Sequence, residues 1–228
     1  MSLILYGAPL SPFVRKADAV LREKGADFEL ESVNILPMPE WFKEISPARR
    51  IPVLRDTSVG RDGAHGTIPD SSAICAFAER KFPTPALYPS DPFAHGRAVW
   101  FEEFCDSELT LVIGGGIFRP IQFARFSGKE PDVETAKSTY ANKLPRLLDY
   151  LEAELEGQSY LVEDEFSIAD ISLACSLFQL ELVAGPLDAA RWPQLADHSE
   201  RVTTRPSFGP CIAICRKIVK QDPIDLRA

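Results

Sequence analysis

The sequence predicts an α/β domain of order βαβ–α–ββα over residues 1–82, a linker at 83–90 and an all-α helical bundle over 91–228. Three observations carry that prediction. Short apolar or alternating runs, which suit strands, end before residue 82, and only helical periodicity follows them. Prolines at 83, 85, 89 and 92 crowd into "PTPALYPSDP", the composition of a connection rather than of an element. The first strand, helix and strand form a βαβ unit, so the sheet should begin parallel.

"LILY" at 3–6 is a continuous apolar run, as expected of a strand buried on both faces. Ser11 follows as a helix cap, with Pro12 at the first helical position, where its missing N–H costs nothing. Phe13, Val14, Ala17, Val20 and Leu21 recur at helical spacing, which places Arg15, Lys16, Asp18 and Arg22 on the opposite face. Gly25 closes this helix. "ADFELES" alternates apolar and acidic residues, the pattern of a half-exposed strand. "PEWFKEIS" reads as a short helix, and "RRIPVLRD" as a strand opened by Pro52, which cannot donate to a ladder. The glycine-rich "TSVGRDGAHG" leads into a very short strand, "TIP". "DSSAICAFAERKF" is then a helix with a polar start and apolar residues at Ala73, Ile74 and Phe77.

Beyond the linker, helical patterns occupy 91–112, 132–156, 167–183, 188–203 and 207–220. The "GGG" at 114–116 should end the first of them; without a following GK[ST] it is no phosphate loop. In "FSIADISLA", Ser167 and Asp170 form a capping box. The helix that follows is apolar almost all round and should be the core of the second domain.

The net charge of -8 opposes binding to nucleic acid or anionic membrane, since both need a cationic footprint, so neither is expected as a partner. No apolar run reaches the roughly 18 residues that span a bilayer. "MSLILYGAPLSPF" lacks the basic and long apolar segments of a signal peptide, which makes the cytoplasm the expected location. Cys75, Cys105, Cys175, Cys211 and Cys215 include no CxxC pair and mostly sit in apolar helical contexts, where a thiol behaves as a small hydrophobe. His65, His95 and His198 share no ligand spacing, so no metal site is expected.

"SPFVRK", "SPARRIPVL", "DSSAI" and "FSIADISLA", in that order and spacing, resemble the motifs of the cytosolic glutathione transferases over essentially the whole chain. The resemblance implies a thioredoxin-like first domain with a cis peptide bond before Pro52, glutathione as co-substrate without a metal, and a homodimer. Ser11 matches the catalytic serine of the serine-type members (theta, tau and zeta classes), while Tyr6, at the strand end, is read as a packing residue. The chemistry is physically apt. A free thiol has a pKa of about 8.5. A hydroxyl at a helix N-terminus, with its partial positive charge, can stabilise the thiolate by a charge-assisted hydrogen bond.

The same resemblance gives Asp70 and Ser71 to the γ-glutamyl end of glutathione, as acceptor for its ammonium group and donor to its carboxylate. Ile51, before Pro52, would pair its backbone with the cysteinyl unit, and Arg50, Arg49 or Lys43 would meet the glycyl carboxylate. Leu10, Phe104, Glu108 and Phe118 are the residues expected to wall a cavity between the domains for the second substrate, an apolar electrophile or an organic hydroperoxide. A glutathione-dependent isomerase and a non-catalytic glutathione-binding or scaffold protein remain open alternatives. Thiol–disulfide exchange needs a cysteine where this chain has Ser11.

Overall fold

The computed structural model describes residues 2–227. They form two compact units, one of residues 2–87 with Pro206–Ile214, the other of Tyr88–Arg205 with residues 215–227. Residues 83–90, the proline-rich stretch, hold neither helix nor strand.

In the first unit the order is β1 (Leu3–Tyr6), α1 (Pro12–Glu23), β2 (Phe28–Glu31), α2 (Glu40–Ile45), β3 (Val53–Asp56), β4 (Thr67–Ile68) and α3 (Ser71–Lys81). The described residues build one four-stranded sheet, β2-β1-β3-β4, the mixed sheet of a thioredoxin-like domain. β1 runs parallel to β2 and antiparallel to β3, with Leu3 opposite Phe28 and Tyr6 opposite Val53. β3 runs antiparallel to β4, with Leu54 opposite Ile68. Leu5, Val53 and Leu54 are wholly buried, as a sheet covered on both faces requires. The Ile51–Pro52 peptide bond is cis, as the family resemblance implied.

α1 departs from the expected amphipathic helix. Arg15, Lys16 and Asp18 are not on a solvated face: every residue from Val14 to Leu21 is buried. Each of the three charged side chains has a partner. Arg15 donates to main-chain carbonyls, Lys16 Nζ donates to Ser72 Oγ of α3 at 3.1 Å, and Asp18 accepts from Arg22 at 2.8 Å. Paired in this way, charges are tolerated where apolar periodicity alone would exclude them.

The second unit is helical: α4 (Pro92–Phe104), α5 (Ala124–Phe126), α6 (Val133–Asn142), α7 (Leu144–Glu154), α8 (Ile168–Ala184), α9 (Pro193–Thr203) and α10 (Gly209–Ile218), the last shared with the first unit. The expected stop at Gly114–Gly116 does not occur. The helix runs on from α4 to α5 with wider, i→i+5 turns over Cys105–Leu109 and Leu111–Phe123. Three glycines cost about 1 kcal/mol each in a helix. Burial of Ile113, Ile117, Phe118 and Ile121, each worth about 1.5–3 kcal/mol, outweighs that. Gly116 also sets how closely α6 approaches, since a Cβ there would lie 2.5 Å from Thr139 Cγ2.

Two further readings are corrected. The pattern at 132–156 is two helices, α6 and α7, broken at Lys143 because Pro145 has no N–H to continue the ladder and is tolerated only in a first turn. The pattern at 188–203 becomes helical only at Pro193. Before it, the Asp188 carbonyl accepts from Arg191 and Trp192 in a tight turn. α8 begins at the Ser167 cap, and Asp170 accepts from the Ser167 N–H at 2.8 Å. The same buried carboxylate accepts from the Leu161 N–H at 3.0 Å and meets His198 Nε2 at 2.9 Å, tying α8 to α9. All five cysteines are buried. Among the described residues no helix is long and apolar enough to cross a membrane.

Candidate active site

Strand register assembles the first unit's site. Tyr6 opposite Val53 puts the end of β1 beside the start of β3, and Leu54 opposite Ile68 puts the end of β4 there too. The segments that continue from those strand ends therefore share one end of the sheet: Gly7–Ser11, Ile51–Pro52, and Pro69–Ser71. Two helix N-termini, those of α1 and α3, open at this end, each presenting orphan N–H groups and a partial positive charge. The arrangement favours an extended, anionic ligand.

Ser11 is the half-buried N-cap of α1, with extended backbone angles of φ -74° and ψ 127°. Its main chain is fully engaged, donating to Ala8 O at 2.9 Å and accepting from the Arg15 N–H at 3.1 Å. Its hydroxyl makes no capping hydrogen bond. That sets it apart from Asp70, Asp91 and Asp132, whose carboxylates cap α3, α4 and α6. Gly7 packs close against α1, with no room for a side chain: a Cβ there would lie 2.5 Å from Val14 Cγ2. Tyr6 is buried in a core cluster with Val33, Phe42, Ile45 and Val53, its ring edge-on to Trp41 at 5.5 Å.

Asp70 caps α3, its Oδ1 accepting from the Ala73 N–H at 3.0 Å, while the residue itself stays exposed. Ser71 follows as the first helical residue and is buried. Ile51 stands just past the last β1–β3 pair, half-buried, and Pro52 is buried. Arg49 and Arg50 are exposed, Arg49 in the left-handed region at φ 53°. Lys43 is half-buried and bonded to Glu40, and that bond holds the Glu40 carboxyl below its usual range. This leaves Arg50 and Arg49 better placed than Lys43 to take a new anion. Leu10 is half-buried in the loop before Ser11. In the second unit, Phe104 and Phe118 are buried against Tyr150 and Phe123 at 5.2 and 6.2 Å, and Glu108 is exposed.

Two supporting residues escaped sequence reasoning. Ser46, wholly buried, bonds the Arg50 main chain on both sides, accepting from its N–H at 2.9 Å and donating to its carbonyl at 2.7 Å. Arg15 does the same for the loop before Ser11, with Nη1 bonded to the Pro9 and Leu10 carbonyls. Their partners are backbone carbonyls and N–H groups, which leave no mark in a sequence. Among the described residues no group of three or more His, Cys, Asp and Glu side chains is placed to hold a metal ion.

The sequence matches the family description "Glutathione S-transferase, N-terminal domain" over residues 5–86 and "Glutathione S-transferase, C-terminal domain" over residues 115–206. It is 31% identical over 224 residues to glutathione S-transferase 3 of Zea mays, covering 92% of this chain and 93% of that protein. The crystal structure of a glutathione S-transferase from Rhodospirillum rubrum F11 superposes with a TM-score of 0.82 at 26% identity, covering 92% of this chain and 91% of that one. A glutathione S-transferase from Methylobacterium radiotolerans, solved in complex with glutathione sulfonate, superposes with a TM-score of 0.74 at 28% identity, over 93% and 95% of the two chains. The chain therefore belongs to the glutathione S-transferase family of enzymes.

Proposed function

We propose that this chain is a serine-type glutathione transferase that joins the thiolate of glutathione to apolar electrophiles or uses it to reduce organic hydroperoxides. The observation that carries the reading is the Ser11 hydroxyl, placed at the N-terminus of α1 and making no capping bond there. Ser is favoured at that position because its oxygen ordinarily accepts from the helix. Here the hydroxyl is left to face a ligand. Glutathione binds with its γ-glutamyl end at the start of α3, on Asp70 and Ser71, and its cysteinyl unit beside Ile51 and Pro52. Its glycyl carboxylate lies towards Arg50. The thiol then meets Ser11, which donates to it and holds it as the thiolate.

In the reaction the sulfur lone pair forms a bond to the electrophilic carbon, and the leaving group departs with its bonding pair. The N-terminus of α1 stabilises the charge on sulfur before attack, so more of the bound thiol is reactive at neutral pH. The relative solved with glutathione sulfonate supports a ligand of this class. The reading includes a cytoplasmic homodimer, which light scattering at micromolar concentration tests; a monomer-sized particle overturns that part. Titration calorimetry with glutathione, followed by turnover with a panel of electrophiles and hydroperoxides, tests the whole. Binding together with product formation on at least one panel member is expected, and absence of glutathione binding overturns the reading.

A further inference from the structure

The loop between β1 and α1 has to deliver one hydroxyl to one place, and its own backbone bonds, Gly7 N–H to Glu31 O and Ser11 N–H to Ala8 O, both at 2.9 Å, do not reach the Pro9 and Leu10 carbonyls. Pro9 has no N–H to donate, and the Pro9 and Leu10 carbonyls precede the helix, outside its hydrogen-bond ladder. Arg15 supplies what is missing. Its Nη1 donates to Pro9 O at 2.9 Å and to Leu10 O at 3.0 Å, while its main-chain N–H donates to Ser11 O at 3.1 Å. Three successive carbonyls, the last that of Ser11 itself, thus accept from one residue. The guanidinium is 1% exposed, so it holds the loop from inside. On the other side, Val14 fills the space against Gly7 and leaves no slack.

A buried guanidinium is costly to desolvate, and an apolar side chain would serve the core as well. Among the bonds it makes are those to the carbonyls of the two residues immediately before Ser11. A hydrogen bond to a thiolate weakens steeply with misplacement, and displacements of about 1 Å can cost on the order of a hundredfold in rate.

We propose that Arg15 is a positioning residue for Ser11: by binding the Pro9 and Leu10 carbonyls it fixes the loop so that the Ser11 hydroxyl meets the sulfur of glutathione. This rests on the reading of Ser11 given above. Arg15 acts through Ser11 and touches no reacting atom in this role.

The test is the titration of the thiolate absorbance of bound glutathione in four proteins: wild type, Ser11→Ala, Arg15→Met and the double variant. Arg15→Met should raise the midpoint by about 1 pH unit, a tenfold change in ionisation. It should lower kcat at neutral pH by about tenfold and change KM for glutathione by less than about twofold. In the Ser11→Ala background the added Arg15→Met should move the midpoint by less than about 0.3 unit, because the group it positions is gone. Should Arg15→Met fail to fold, Arg15→Lys takes its place. It keeps the charge on a shorter side chain that cannot span both carbonyls, and the same non-additive pattern is expected.

An Arg15 that serves only stability would lower the melting temperature and leave the midpoint where it was. An Arg15 that acts by its own charge would shift the midpoint equally in both backgrounds. Either result overturns the proposal. A wild-type midpoint no lower than that of free glutathione, or one that Ser11→Ala leaves in place, strikes the reading of Ser11 itself, and Arg15 loses its role with it.

Discussion

Asp70 gives one carboxylate oxygen to the Ala73 N–H, and a carboxylate has about four acceptor sites in all, so capping α3 leaves capacity for the ammonium group of a ligand. The two roles can be separated. Asn caps a helix as well as Asp does but carries no charge. Asp70→Asn should therefore keep the melting temperature and weaken glutathione binding by about tenfold, since a hydrogen bond to a charged group is worth about 1.5–3 kcal/mol. Asp70→Ala should lose both, with about 1 kcal/mol from the missing cap. Calorimetry beside thermal melts checks the pair; an Asp70→Asn protein that binds normally would confine this carboxylate to capping. The placement of Ser11, Pro12, Asp70 and Ser71 at helix starts and of Pro52 at a strand edge was legible in the sequence because Ser, Pro and Asp are the residues such positions select. Arg15 and Ser46 were not legible, because what they hold is backbone brought close only by the fold.

Between elements, Asp56 joins the end of β3 to the end of α3 through Lys81 at 2.8 Å. Burial pushes its carboxyl up, but the bonds from Lys81 and Ser58 outweigh burial and hold it below the usual range. A carboxyl lowered in the folded state stabilises above its unfolded pKa of about 3.9, and that stability is lost as pH falls through the folded value. Asp56→Asn should then cost about 1 kcal/mol near neutral pH, the scale of an ion pair that keeps contact with water. The gap from wild type should close in acid, as pH falls through the folded value. Urea midpoints across that range measure it, and a gap that stays constant into acid would assign the effect to packing. The strands and α3 were read correctly from local pattern. The run through Gly114–Gly116 and the buried polar residues of α1 were not, because contacts made only on folding overrode local preference. The break at Lys143 was different in kind: Pro145 announced it, and the surrounding periodicity masked the signal.

At the scale of the molecule, family membership rests on the match of both domains and on a relative 31% identical over most of both chains. The activity rests on one chemical claim, that the Ser11 hydroxyl stabilises the thiolate of bound glutathione. Tyr6 is the internal control, since other branches of the resemblance would use its hydroxyl, whereas here its ring is packed against Trp41 and Phe42. The helix terminus survives any side-chain change, so Ser11→Ala should remove only part of the stabilisation. The most direct measurement is the ultraviolet absorbance of thiolate, followed against pH in the glutathione complexes of wild type, Ser11→Ala and Tyr6→Phe. The account predicts a wild-type midpoint about 2 units below that of free glutathione, worth about 2.7 kcal/mol, moved upward in Ser11→Ala and nearly unmoved in Tyr6→Phe. A curve that moves in Tyr6→Phe and not in Ser11→Ala would contradict it.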